Sequence, residues 1–154
     1  MRLVLFQPEI AQNAGAATRA AACFGAGLDI ISPCGFPLSA KTFTRVAMDY
    51  GLLAPPHVHD DWAAFQAVVP GRRILLTTKA EVSLWDFSFA ADDLLIMGQE
   101  SAGAPDYVHA AADATVRIPL AAAARSLNMA MAAAIALAEA QRQVHAAGAA
   151  DALA

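Results

Sequence analysis

The sequence has 154 residues, 58% of them hydrophobic and 16% charged, with a formal net charge of -4. That length suits one compact core, and nine Gly and eight Pro are too few for a disordered or low-complexity chain. The acidic balance, taken whole, argues against a nucleic-acid partner, because phosphate binding normally leaves a basic footprint.

Alanine makes up roughly a quarter of the chain, so the core is expected to rest on scattered Leu, Ile, Val, Met and Phe. Cys23 and Cys34 form no CxxC pair, which favours a reduced, cytoplasmic setting over a disulfide scaffold. The N-terminal apolar run is too brief for a signal peptide. The longest apolar stretch, Met129 to Ala138, falls short of a membrane helix. A soluble protein is expected.

In chain order, Arg2 to Phe6 reads as a buried strand. A helix follows from about Asn13 to Phe24, stopped by Gly25 and Gly27. Leu28 to Ser32 is a second strand, so the first thirty or so residues read as a βαβ unit with parallel strands. Ser39 to Met48 looks helical. Leu52 to Val58, broken by Pro55 and Pro56, can only be a short or edge strand. Asp60 or Asp61 caps a helix with Trp62, Phe65 and Val68. Strands are expected at Arg73 to Thr78, Asp93 to Met97 and Thr115 to Pro119. Pro105 fits the first turn of a short helix reaching about Ala112. A terminal helix runs from about Ser126, read as its N-cap, to Ala146, with a flexible tail from about residue 147. The alternation predicts an α/β fold, residues 1–154 forming a single domain around a mostly parallel sheet with helices on both faces.

Several familiar sites are absent by position. The loop after the first strand, Gln7 to Asn13, has no glycine, so the dinucleotide fingerprint is missing. Gly98 to Gly103 has the opening spacing of a P-loop, but Ala104 and Pro105 replace the Lys and Ser or Thr it needs. His57 and His59 share one face of an extended segment with no second cluster to complete a metal site, and read as exposed loop histidines. No metal is expected.

Three segments carry more polar residues than a plain core would need. The first has Asn13 and Arg19 in a small-residue helix, six positions apart and so about 120° apart around its axis. The second brings Gly98, Glu100 and Gly103 to the end of the most hydrophobic strand, where open α/β sheets bind ligands and where glycine would let a flat ligand approach the backbone. The third, Arg125 to Asn128, leads into the terminal helix. Helix capping, a solvated charge and an ordinary turn are the plainer readings of each segment alone.

In this order the segments resemble the motifs of SPOUT-class methyltransferases of the SpoU type. They are most similar to the small tRNA 2′-O-ribose methyltransferases that modify the wobble nucleotide. The resemblance is carried by Pro8-Glu9-Ile10 with Asn13 and Arg19, by Arg45 with Asp49 and Tyr50, and by Leu76 to Lys79. Gly98 to Glu100 with Gly103 and Pro105, and Ile118-Pro119 with Arg125 to Asn128, complete it. It spans residues 2 to 145. Ser101-Ala102 stands where family members often carry Thr-Arg, and Gln141 where they often carry an aromatic, which removes one possible RNA contact.

The resemblance implies an α/β trefoil knot, a rare exception to unknotted chains. It also implies S-adenosylmethionine as cofactor and a homodimer that completes each active site across its interface, acting on the tRNA anticodon stem-loop. By position it nominates Leu76, Thr77, Gly98, Gly103, Ile118, Leu120, Ser126 and Leu127 as cofactor contacts. Arg19, Asn13, Glu100, Ser126 and Asn128 match the catalytic group. Arginine is an awkward base, because its pKa exceeds about 12. Arg19 is therefore either a proton acceptor assisted by an RNA phosphate or a cation that orients phosphate and stabilises an alkoxide. Another RNA such as rRNA, or a non-catalytic binding module of the same fold, are the alternatives. Net charge does not exclude RNA after all, since Arg19, Lys41, Arg45, Lys79 and Arg125 gather in or near the motifs. With ten basic residues, binding is expected to be modest and salt-sensitive.

Overall fold

The computed structural model describes residues 1–39, 45, 47, 50 and 55–151, with side chains to residue 147. Among the described residues, six strands, β1 (Arg2–Phe6), β2 (Gly27–Ile31), β3 (His57–His59), β4 (Arg73–Leu76), β5 (Leu94–Met97) and β6 (Ala114–Val116), form one sheet in the order β3-β2-β1-β5-β4-β6. Every pairing between these strands is parallel. Among the described residues, helices α1 (Ala11–Cys23), α2 (Trp62–Val68), α3 (Asp106–Ala110) and α4 (Met129–Asp151) flank the sheet.

The central strands are apolar at consecutive positions because both faces are covered. Leu3, Leu5, Ile30, Ile74 and Leu95 point to a core shared with α1 and α4. Val4, Phe6, Leu75 and Ile96 point the other way, onto Trp62, Phe65 and Val108. The first core corrects the expectation that alanine contributes little. Ala14, Ala17 and Ala21 of α1 and Ala133, Ala136 and Ala140 of α4 are all buried in it, and α1 packs along α4. Small side chains at such a contact allow a short distance between helix axes. From β6, at one edge of the sheet, the chain returns to α4 against β5 and α1.

Helix ends follow local chemistry. Gly25 adopts φ +64, and the Ala26 N–H reaches the Ala21 carbonyl while the Gly25 N–H reaches that of Ala22. This is the paired closure that a left-handed glycine permits. Asp61, the second of the two acidic candidates, caps α2 by accepting from the Ala64 N–H at 2.7 Å. Pro105 immediately precedes α3 instead of sitting in its first turn. The N-cap of α4 is Asn128, not Ser126: its Oδ1 accepts from the Ala130 and Met131 N–H groups. α1 starts at Ala11 with no side-chain cap, so Asn13 lies inside the first turn and is not a cap. α4 runs on to Asp151, past the expected end at Ala146.

β3 is a three-residue edge strand, as the prolines required. Its histidines are not loop residues, and His59 Nε2 meets the buried Asp29 at 2.8 Å. Arg45, Ala47 and Tyr50 are helical. The remainder of the helix expected over Ser39 to Met48, from Ala40 on, lies outside the described residues, as do Leu52 to Ala54 of the expected strand, Lys41 and Asp49.

Candidate active site

The carboxyl ends of β4, β5 and β6 open onto a cavity of about 630 Å³. Parallel strands in open α/β sheets deliver their following loops to this edge, where ligands bind. Leu76 and Thr77 leave β4, Gly98 and Gly103 follow β5, Ile118 and Leu120 follow β6, and Ser126 and Leu127 precede α4; all eight line the cavity. Asn13, Glu100 and Asn128 line it too, as do the basic side chains of Lys79 and Arg125.

The loop after β5 is a tight hairpin. Gln99 and Gly103 exchange both backbone hydrogen bonds, and Gly103 takes φ +72. A Cβ on Gly98 would stand 2.5 Å from the Ala104 nitrogen. The missing side chain therefore makes room for the chain's own returning backbone, while Gly98 also lines the cavity.

Three side chains from distant parts of the sequence form a directed chain. Asn128 uses its Oδ1 to cap α4, so its Nδ2 is left to donate, and it donates to Asn13 Oδ1 at 2.8 Å. Asn13 Nδ2 must then find an acceptor, which is Glu100 Oε1 at 3.2 Å. The helix cap at one end and the carboxylate at the other thus fix both amide orientations. Glu100 Oε2 accepts a second donor, the Glu9 N–H, at 2.8 Å.

Glu9 has no assigned role in the sequence reading. Its carboxylate accepts from Ser101 Oγ and from the Ser101 N–H, both at 2.7 Å. The Ser101 hydroxyl and then the Ser101 N–H hold the Glu9 carboxyl below its ordinary value. Beside it, Gln99 Nε2 donates to Gln7 Oε1 at 3.0 Å, and Gln7 adopts φ 46. The only sequence signal for Glu9 was its place between Pro8 and Ile10, because Ser101 lies 92 positions away.

Arg19 is the nominated residue that the cavity does not include. It is exposed on α1, six residues and so about 9 Å of rise beyond Asn13. Its guanidinium sits over the Tyr50 ring, 5.2 Å from the centroid. Among the described residues, no three His, Cys, Asp or Glu side chains gather as a metal site would require. No helix there is long and apolar enough to cross a membrane.

Residues 1–138 match the SpoU rRNA Methylase family. The chain belongs to that family. It is 50% identical over 121 residues to the tRNA (cytidine(34)-2'-O)-methyltransferase of Beijerinckia indica, covering 77% of this chain and 76% of that protein. A solved structure concerned with the 2-OH methylation of C/U34 on tRNA superposes with a TM-score of 0.89. It is 41% identical to this chain, over 92% of this chain and 94% of that one. AviRb, a SpoU methyltransferase of Streptomyces viridochromogenes solved with the cofactor AdoMet, gives a TM-score of 0.82 at 26% identity, over 93% of this chain and 60% of that one.

Proposed function

We propose that this SpoU-family protein is a methyltransferase that uses S-adenosylmethionine to methylate the ribose 2′-hydroxyl of the wobble nucleotide, cytidine or modified uridine, in cytoplasmic tRNA. The observation that carries this reading is the chain Asn128–Asn13–Glu100 on the wall of the cavity at the sheet's carboxyl edge. The close relatives named for this reaction support it. The cavity fits the cofactor: its volume is in the range of small-molecule sites. Its wall mixes apolar Leu76, Ile118 and Leu127 with hydroxyls of Thr77 and Ser126, matching a ligand that is part heterocycle and part sugar. Bound there, S-adenosylmethionine supplies an electrophilic methyl group.

The protein's task is to present a ribose oxygen in line and to manage its proton. Asn13, Glu100, Ser126 and Asn128 form the frame that orients the reacting groups. In this account Arg19 acts in the cavity of a second copy, because about 9 Å of helix separates it from Asn13 of its own chain. There it faces the frame and an RNA phosphate, as a cation or as a phosphate-assisted proton acceptor. Lys79 and Arg125 on the cavity wall offer local positive charge in an acidic protein.

Incubation of the purified protein with labelled S-adenosylmethionine and total tRNA, followed by mapping of the 2′-O-methyl group, tests the proposal. Label at nucleotide 34 is the expected result. Label in ribosomal RNA alone would favour the second reading, which the family's description as rRNA methylases keeps open.

A further inference from the structure

We propose that Glu9 is the positioning residue that sets the Glu100 carboxylate against Asn13, an inference that rests on reading this site as a methyltransferase centre. The two loops clasp each other reciprocally. The Glu9 N–H donates to the Glu100 side chain, and the N–H and hydroxyl of Ser101, the next residue, donate back to the Glu9 side chain. The clasp joins segments about 90 positions apart and works as a capping box does, each partner satisfying a backbone N–H of the other.

Both sides of the clasp need it. The hairpin of Gln99 to Gly103 is pinned at its ends by backbone bonds, but Ser101 and Ala102 at its tip are exposed. Glu9 is the partner that holds that tip. Glu9 itself is fixed from behind: the Gly35 N–H donates to the Pro8 carbonyl at 2.9 Å, and a Cβ on Gly35 would stand 2.7 Å from the Glu9 carbonyl oxygen. A carboxylate has several torsions to choose from. Two donors, Glu9 N–H and Asn13 Nδ2, reduce Glu100 to one of them. Glu9 does not line the cavity; its carboxylate holds Ser101 and through it the adjoining Glu100, which the Glu9 N–H also meets, so its effect bears on rate, not on affinity.

The test uses the full-length protein with three substitutions. Glu9→Ala is expected to lower kcat about tenfold to thirtyfold, the effect of losing a charge-assisted hydrogen bond, while KM for tRNA and Kd for S-adenosylmethionine stay within about twofold. Ser101→Ala, which removes the hydroxyl donor and keeps the N–H, should give a smaller loss, and the double variant should be no worse than Glu9→Ala, which already removes both bonds. Gly35→Ala, which drives a methyl group into the Glu9 carbonyl, should repeat the kcat effect from outside the clasp. Hydrogen exchange supplies a readout independent of activity: the Glu9 and Ser101 amides should exchange faster in Glu9→Ala, with protection of β1 and β5 unchanged. Unaltered kcat, additive losses or unaltered exchange at those amides would each overturn the proposal. If the wild-type protein transfers no methyl group to RNA, the methyltransferase reading falls, and amide exchange alone decides the clasp.

Discussion

Carboxylates in two regions of this molecule are treated in opposite ways. Asp29 in β2 and Asp93 just ahead of β5 are fully buried, and each is met by arginine: Arg2 for Asp29, with His59 beside it, and a two-pronged Arg72 for Asp93. At the carboxyl edge, Glu9 and Glu100 are held only by backbone N–H groups, a hydroxyl and an amide. No cation among the described residues pairs with either. Where a carboxylate serves the fold, its charge is neutralised in place, as burial demands. At the cavity its geometry is fixed and no cation among the described residues neutralises it; on the proposed function that charge faces a second copy's guanidinium or the sulfonium of the cofactor.

The sharpest way to break this contrast is to neutralise one carboxylate of each kind. Glu100→Gln should cut methyl transfer by about a hundredfold or more, the usual effect of removing one preorganised electrostatic group, with thermal stability near that of the wild type. Arg72→Ala should do the reverse. It strands the buried Asp93 and costs about 2 kcal/mol in urea unfolding, while transfer by the folded protein at low temperature is retained. A smaller effect comes from a third kind of carboxylate, on the surface of α4. Arg142 and then Gln143 lower the Glu139 carboxyl from 4.5 to about 2. A group lowered on folding stabilises above its unfolded value and ceases to do so as pH falls through its folded one. Glu139→Gln should therefore lessen the loss of stability between pH 4.5 and about 2, by little because the pair is exposed, and leave activity at neutral pH unchanged.

Much of the fold was legible in the sequence, because its signals are local. The apolar runs at Arg2 to Phe6 and Leu94 to Met97 are long enough to mark buried strands, and Gly25 marks the end of α1 by its own backbone freedom. Other features depend on neighbours that no local pattern names. Ser126 and Asn128 are both good caps, and Asn128 is the one whose cap geometry also reaches Asn13. Buried alanines are indistinguishable from surface ones until α1 and α4 are known to adjoin. The cavity residues were legible through family resemblance, whereas Glu9 was passed over because a Glu in a turn has no special pattern and its partner is far off in the chain. The close approach at Gly98 is legible as a glycine, but the returning backbone at Ala104 that meets it is not.

On the proposed function, the frame of one chain works with Arg19 of another. Complementation tests it most directly. Arg19→Ala and Glu100→Gln, each expected to be inactive alone, are unfolded, mixed in equal amounts and refolded together. A shared site predicts that half of the dimers are mixed and that each holds one intact site, so about a quarter of wild-type activity returns by random pairing. Activity that stays at the level of the separate variants, in a mixture shown to contain mixed dimers, would contradict the account.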